Sequence, residues 1–78
     1  MQNYKERIRE LRLNANLSQR QVAEVLGVKQ QQYQRWETGS RDFPIKELVQ
    51  LANFFGVSTD YILLGKIEED RGQNEQIG

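Results

Sequence analysis

Apolar residues recur at helical spacing in five separate stretches of this chain, and no stretch alternates as a strand does. The clearest stretch begins at Ser18, a favourable N-cap, and Gln21 three positions later completes a capping box. We therefore predict a helix that begins at about Gln19 and ends at Gly27, which tolerates the left-handed conformation of a helix terminus. Its apolar face comprises Val22, Ala23 and Leu26.

A second helical pattern follows after a short turn, from about residue 30 to residue 38, and ends at Gly39. On a helical wheel, Tyr33 and Trp36 lie on one side. The opposite side carries the planar hydrogen-bonding groups of Gln31, Gln34 and Arg35. A glutamine carboxamide matches the N6/N7 edge of adenine, and a guanidinium matches O6/N7 of guanine. This helix therefore has the chemistry of one that lies in the major groove of DNA.

Three further helices complete the predicted fold. Tyr4, Ile8 and Leu11 define a first helix that packs on this pair. Pro44 is predicted at the first position of a fourth helix, which ends at Gly56. The face predicted for that helix comprises Ile45, Leu48, Val49, Ala52 and Phe55. Ser58 is predicted to cap a short fifth helix that contains Tyr61, Ile62 and Leu64.

These elements predict one compact all-α domain of five helices over residues 1–65, closed by Gly65, with a helix-turn-helix at about 18–38. The remaining residues, 66–78, are polar, acidic and poorly patterned, and we expect a flexible tail.

Composition narrows the function. The chain has no cysteine and no histidine, so a thiolate metal site and the commonest general base are absent from the sequence. We therefore expect no enzyme, no metal and no cofactor. Residues 1–10 lack an apolar signal region, and no stretch approaches the roughly 20 apolar residues of a membrane span. A cytoplasmic protein without membrane contact is expected.

The formal net charge of zero hides an asymmetry between the two halves of the chain. Residues 1–41 contain eight basic and four acidic residues, which gives +4, whereas residues 42–78 contain three basic and seven acidic residues, which gives −4. The positive half carries the predicted DNA-facing helix. Because attraction to phosphate depends on local charge, the asymmetry favours nucleic-acid binding.

Four segments, in order, resemble the phage-repressor and Cro-like helix-turn-helix family of bacterial and phage transcription regulators. They are IRELR, LSQRQVAEVLGV, WETG and LANFFGVSTDYILLG, and together they extend from Ile8 to Gly65. The resemblance implies a lambda-repressor-like fold and a sequence-specific regulator of double-stranded DNA. Repression is the expected mode, because so small a protein acts simply by occupying an operator.

The resemblance also implies roles for individual residues. Base contacts are expected from Lys29, Gln30, Gln31, Gln34 and Arg35, and phosphate contacts from Gln19, Thr38 and Arg41. Arg12 and Glu37 match a pair that forms a structural salt bridge in the family. The alternative for these two residues is that they are separate surface charges.

The position of Lys29 departs from the family pattern, which usually has Ser or Thr there as a helix cap. A cation at a helix N-terminus opposes the helix dipole, at a cost of about 0.3–1 kcal/mol. We hypothesise that Lys29 is present for binding, to a phosphate or a guanine edge. The alternative is a solvated lysine in the turn.

A single recognition helix contacts about four to five base pairs, so a homodimer on an inverted repeat is expected. Candidate dimer contacts are Phe43, Phe54 and, on the fifth helix, Ile62. The alternative is that Phe43 folds into the core and that Phe54 is an isolated exposed aromatic residue. The alternative function is an antitoxin or another protein-interaction module with the same fold, whose essential surface would be apolar.

Overall fold

The computed structural model of the protein describes residues 3–66 and contains, over this range, five α-helices and no strand. The helices are α1 (Tyr4–Asn14), α2 (Gln19–Leu26), α3 (Gln30–Thr38), α4 (Ile45–Phe55) and α5 (Thr59–Leu64). The predicted all-α architecture of five helices is therefore confirmed. Within the described range, none of the helices is long and apolar enough to span a bilayer. The flexible tail predicted for 66–78 lies, apart from Lys66, outside the described residues.

Local side-chain chemistry explains where α2 begins and ends. The Ser18 hydroxyl accepts a hydrogen bond from the Gln21 N–H at 3.1 Å, and the Gln21 carboxamide accepts one from the Ser18 N–H at 2.8 Å. At the other end Gly27 has a φ of +74°, a conformation that residues with a Cβ rarely adopt. The N–H of Val28 then returns to the carbonyl of Ala23 at 3.0 Å. The turn into α3 is thus short and closely defined.

The core lies where the five helices converge. α2 packs against α3, α1 against α3 and α5, and α4 against α5 and α2. The buried apolar residues are Ile8, Val22, Ala23, Leu26, Tyr33, Trp36, Phe43, Leu48, Leu51, Ala52 and Ile62. Since both helices of the predicted helix-turn-helix contribute to this core, α3 is held from one side only, and its other side faces outward.

The predicted apolar face of α4 is partly wrong. Leu48 and Ala52 are buried as expected, and Phe55 is half-buried, but the remaining core position is Leu51. Ile45 and Val49 are 78% and 44% exposed. The buried stripe is rotated because α4 packs against both α2 and α5, and its register is decided by those neighbours rather than by its own apolar spacing. Pro44 is the N-cap residue rather than the first residue of the helix, so α4 begins at Ile45, one position after the predicted start.

Phe43 belongs to the core and not to the surface, which corrects its proposed place in a dimer contact. It is only 5% exposed. Its ring centroid lies 5.5 Å from that of Trp36, 5.8 Å from Tyr33 and 6.1 Å from Tyr4. The segment between α3 and α4 folds back over the aromatic residues, so Phe43 completes an apolar cluster between α1 and α3.

Ile62 is likewise wrong as a dimer contact, because it is fully buried against the core. Of the three candidates only Phe54 is available on the surface, at 46% exposed, with its ring edge-on to Phe55 at 5.0 Å.

Candidate nucleic-acid interface

The outer face of α3 is polar along its whole length. Its buried residues are Tyr33, Trp36 and Glu37. Its exposed residues are Gln30, Gln31, Gln32, Gln34, Arg35 and Thr38. The five proposed base-contacting residues are therefore all exposed, four of them on α3 and Lys29 at its N-cap. An exposed helix face made of carboxamides and a guanidinium offers paired donors and acceptors to a flat hydrogen-bonding edge.

This face carries no uncompensated negative charge. Between Lys29 and Arg41 the only acidic residue is Glu37, which is buried and ion-paired to Arg12. Lys29, Arg35 and Arg41 are all exposed. The local potential of α3 and its flanking turns is thus positive although the chain as a whole is neutral, which suits a polyanion.

The Glu37 carboxylate is the centre of a buried hydrogen-bond cluster that joins three helices. Arg12 of α1 binds it with two parallel bonds, Nε to Oε2 and Nη2 to Oε1, both at 2.9 Å. The Tyr33 hydroxyl donates to Oε2 at 2.6 Å, and the Gln19 Nε2 of α2 donates to Oε1 at 2.9 Å. Arg12 also donates through Nη1 to the carbonyl of Leu17 at 2.9 Å. We call Arg12, Gln19, Tyr33 and Glu37 the carboxylate cluster.

The protonation states of the carboxylate cluster follow from its contacts. Burial alone would raise the pKa of Glu37, but the hydrogen bonds from Arg12, Tyr33 and Gln19 outweigh it and hold the pKa below its usual value of 4.5. Burial, and then the hydrogen bond to Glu37, raise the pKa of Tyr33 above its usual value of 10. At neutral pH the cluster therefore contains an ionised acceptor and a protonated phenol donor.

The N-terminus of α3 has no side-chain cap. Lys29 occupies the N-cap position with extended backbone angles and makes no capping hydrogen bond. By contrast, α1, α2 and α5 each begin with an Asn or Ser whose side chain accepts from the helix backbone. The donors of the first turn of α3 are thus left to solvent or to an external acceptor.

The proposed phosphate-contacting residues differ in exposure and in whether their side chains already form hydrogen bonds within the protein. Arg41 has an exposed side chain, while its backbone N–H bonds the carbonyl of Arg35 at 3.1 Å. The Thr38 hydroxyl donates to the Gln34 carbonyl of its own helix at 2.8 Å, so a phosphate contact through its hydrogen requires that bond to be given up. Gln19 is half-buried and already bound to Glu37 through Nε2. Gln19 is thus brought together with Arg12 and Glu37.

Sequence reasoning missed the residues that hold the loop between α3 and α4. The Lys5 ammonium is buried, donates to the carbonyl of Arg41, and lies 3.4 Å from the carboxylate of Asp42. The Tyr4 hydroxyl accepts from the N–H of Phe43 at 3.3 Å. A signal for Lys5 was present in the sequence, because it precedes Ile8 by three positions and Arg12 by seven on one face of α1. Because lysines on helices are usually solvated, the spacing of Lys5 alone did not single it out as a buried residue.

An open groove lies beside α3 on the side of this loop. Its lining residues are Gln32, Arg35, Trp36, Arg41, Asp42 and Pro44. Two guanidinium groups thus border one depression at the edge of the polar face.

Comparisons with known proteins agree with this geometry. Residues 8–62 match the helix-turn-helix family model. The chain is 38% identical over 60 residues to the SPbeta prophage-derived uncharacterized HTH-type transcriptional regulator YonR of Bacillus subtilis, covering 77% of this chain and 56% of that protein. It is 39% identical over 62 residues to the HTH-type transcriptional regulator ImmR of Bacillus subtilis, covering 80% of this chain and 48% of that protein. The chain therefore spans about half the length of these relatives.

Among solved structures, the chain resembles the P22 c2 repressor protein, crystallised in complex with a synthetic operator. The TM-score is 0.76 with 27% sequence identity, and the match covers 85% of this chain and 100% of the other. The fold expected from the sequence resemblance is thus found in a repressor structure. Given the family match over residues 8–62, the five helices and the polar face of α3, the chain belongs to the helix-turn-helix family of phage-repressor and Cro-like proteins.

Proposed function

We propose that the chain is a sequence-specific, double-stranded DNA-binding transcription regulator that inserts α3 into the major groove. The observation that carries this proposal is the outer face of α3, where exposed carboxamides and a guanidinium stand on a helix anchored from beneath by Tyr33, Trp36 and Glu37. Gln31 and Arg35 lie at the centre of that face. Each well-placed bidentate contact discriminates between bases by about 1–3 kcal/mol.

Phosphate contacts are assigned to Gln19, Thr38 and Arg41, and Lys29 is assigned to a phosphate or a guanine edge. Thr38 is the last exposed residue of α3, and the exposed cations Lys29 and Arg41 lie at the N-cap of α3 and in the loop after it. Phosphate contacts orient a protein on the duplex, whereas base contacts select the sequence. The positive potential around α3 supports this division of roles.

The regulator acts as a repressor, in this proposal, and binds as a homodimer to an inverted repeat. The likeness to the P22 c2 repressor, which was crystallised with an operator, supports repression by operator occupancy. One nine-residue helix spans too few base pairs to define an operator, so two half-sites about one helical turn apart supply the required specificity.

The test is selection of bound sequences from a random duplex pool, made with the native protein and with the Gln31→Ala/Arg35→Ala variant. We expect the native protein to enrich a short inverted repeat and the variant to enrich none, because the central contacts of α3 are lost. Arg9→Ala/Asn53→Ala is the matched control, since it removes one charge and one carboxamide from exposed positions on α1 and α4. It should recover the native repeat.

Failure of the native protein to enrich any sequence at moderate salt would contradict direct recognition by α3. The antitoxin-like interaction module would then be the better description, and its search would begin at the exposed apolar residues Phe54, Leu63 and Leu64.

A further inference from the structure

Gln19 lies both at the start of α2 and in the carboxylate cluster. It is the first residue of α2, where a phosphate contact is proposed, and it is also the only cluster member whose donor comes from α2. Its Nε2 donates to Glu37 Oε1 at 2.9 Å, across a separation of 18 residues in sequence. One N–H of its NH2 group is thereby used inside the protein, and the second N–H of the same nitrogen diverges from Glu37.

We propose that Glu37 is a positioning residue for DNA binding, which orients the Gln19 carboxamide so that an N–H rather than the carbonyl oxygen is presented to a backbone phosphate. This inference rests on the proposed function. Glu37 itself touches no DNA in this arrangement, because it is buried on the core-facing side of α3.

The chemistry of the two ends of a carboxamide explains why orientation matters. The oxygen and the NH2 group are nearly equal in size, so packing alone does not distinguish them. A phosphate accepts hydrogen bonds and repels a carbonyl oxygen. An ionised carboxylate is also an acceptor only, so Glu37 admits the NH2 end of Gln19 and excludes the oxygen. The Glu37 carboxylate thus selects the orientation of the Gln19 carboxamide in which its second N–H can donate to a phosphate.

The rest of the carboxylate cluster makes this orientation stable. Each Glu37 oxygen accepts two hydrogen bonds, and Arg12 supplies one to each oxygen. This paired geometry fixes the plane of the carboxylate, and the guanidinium compensates its charge, so that Glu37 does not repel a phosphate nearby. Gln19 therefore meets a fixed partner before any DNA is bound, and less side-chain freedom is lost on binding.

A double-mutant cycle tests the proposal. In the native background, Gln19→Ala should weaken binding to the selected operator by about 2- to 10-fold, the range expected for one hydrogen bond. The second background is Arg12→Met/Tyr33→Phe/Glu37→Leu, which replaces the ion pair and its phenol donor by apolar side chains so that no charge is left buried alone. There, Gln19→Ala should cause no further loss.

Tyr33→Phe alone is the matched control for a weakened cluster. It removes one donor from Glu37 but keeps the acceptor of Gln19, so the effect of Gln19→Ala should stay at its native size. A merely structural role for Glu37 would reduce operator affinity in the triple variant and still leave the full Gln19→Ala effect in it. That outcome overturns the inference.

NMR of the free protein separates this inference from the proposed function. In the native protein and in Tyr33→Phe, the Gln19 side-chain NH2 protons should have chemical shifts displaced from those of a free glutamine and should exchange slowly with water. In the triple variant, their chemical shifts and exchange rates should approach those of a solvent-exposed glutamine. If the NMR signals follow this expectation but the native protein binds no DNA, the proposed function is contradicted. The role of Glu37 in DNA binding, which rests on that function, is then contradicted as well. If DNA binds and the Gln19→Ala losses are equal in both backgrounds, the inference alone is overturned.

Discussion

At the scale of single residues, Arg12 and Glu37 differ from Arg20 and Glu24 in burial rather than in chemical type. The first pair is 9% and 2% exposed at its side chains, with Nε and Oε2 2.9 Å apart. The second pair is mostly exposed, with a separation of 3.9 Å, and exposed pairs of this kind contribute about 0–1 kcal/mol at most. Loss of one partner of the buried pair leaves an uncompensated charge, which costs about 3–5 kcal/mol.

The contribution of ionised Glu37 to the free energy of unfolding should be visible in the pH dependence of stability. Because its pKa is lower in the folded protein than its usual 4.5, ionised Glu37 stabilises the fold above about pH 4.5. That contribution is lost as the pH falls through the folded-state pKa. Glu37→Gln should therefore be less stable than the native protein at pH 7, and the gap should narrow towards pH 3. The measurement is urea unfolding of both proteins between pH 3 and pH 7.

A constant gap across that pH range would contradict the role assigned to Glu37. Glu24→Gln is the control, because the ion pair of Glu24 with Arg20 is exposed. The stability of this variant should follow that of the native protein throughout.

At the scale of elements, the starts of the helices divide into two kinds. Asn3, Ser18 and Ser58 cap α1, α2 and α5 with side-chain oxygens. Lys29 and Pro44 begin α3 and α4 without any side-chain hydrogen bond. The uncapped start of α3 adjoins the proposed DNA-facing residues. At this position, backbone N–H groups without a side-chain cap and a cation can both bind an anionic ligand.

Lys29→Ser should therefore have opposite effects on stability and binding. A hydroxyl cap, together with removal of the cation from the helix N-terminus, should raise the free energy of unfolding by about 1 kcal/mol. Operator affinity should fall, and the slope of log K against log salt should decrease by about 1 if the lysine contacts a phosphate. Denaturant unfolding and binding titrations at several salt concentrations measure the two effects.

Lys66→Ser provides the control for charge alone, since Lys66 is exposed and follows α5. It should change neither stability nor the salt slope. Unchanged affinity and slope in Lys29→Ser would leave Lys29 as a solvated residue of the turn.

At the scale of the whole molecule, one apolar core holds the helices, while several large apolar side chains remain outside it. On α4 these are Ile45, Val49 and Phe54. Ile45 and Phe54 are nine positions apart, which places them on roughly opposite sides of the helix. They therefore do not form one patch, and only one of them can lie at the centre of a given interface through α4.

Phe54→Glu should make the protein monomeric if the proposed dimer uses the Phe54 side of α4, because a desolvated carboxylate opposes association. Sedimentation at micromolar concentration, compared with the native protein, measures this. Ile45→Glu, with the same charge change on the other side of α4, should leave the association state as it is in the native protein. A Phe54→Glu protein that still sediments as a dimer would remove this surface from the proposal.

The boundaries of α2 and the polar face of α3 were predictable from the sequence. Capping by Ser18 and Gln21, the left-handed Gly27, and the opposition of Tyr33 and Trp36 to Gln31 act within one or two helical turns, so neighbouring residues suffice to specify them. The site residues that depend on this face, such as Gln31 and Arg35, were accordingly found exposed.

Only the tertiary structure decided which residues from distant segments meet. Phe43 enters the core, Ile45 leaves it, and Gln19 joins Glu37 because of how α1, α2, α3 and α4 pack together. The sequence by itself thus determined the helices and the chemistry of their faces, through local hydrogen bonds and the helical period. The structure determined burial, register and the carboxylate cluster, because these depend on contacts between residues far apart in the chain.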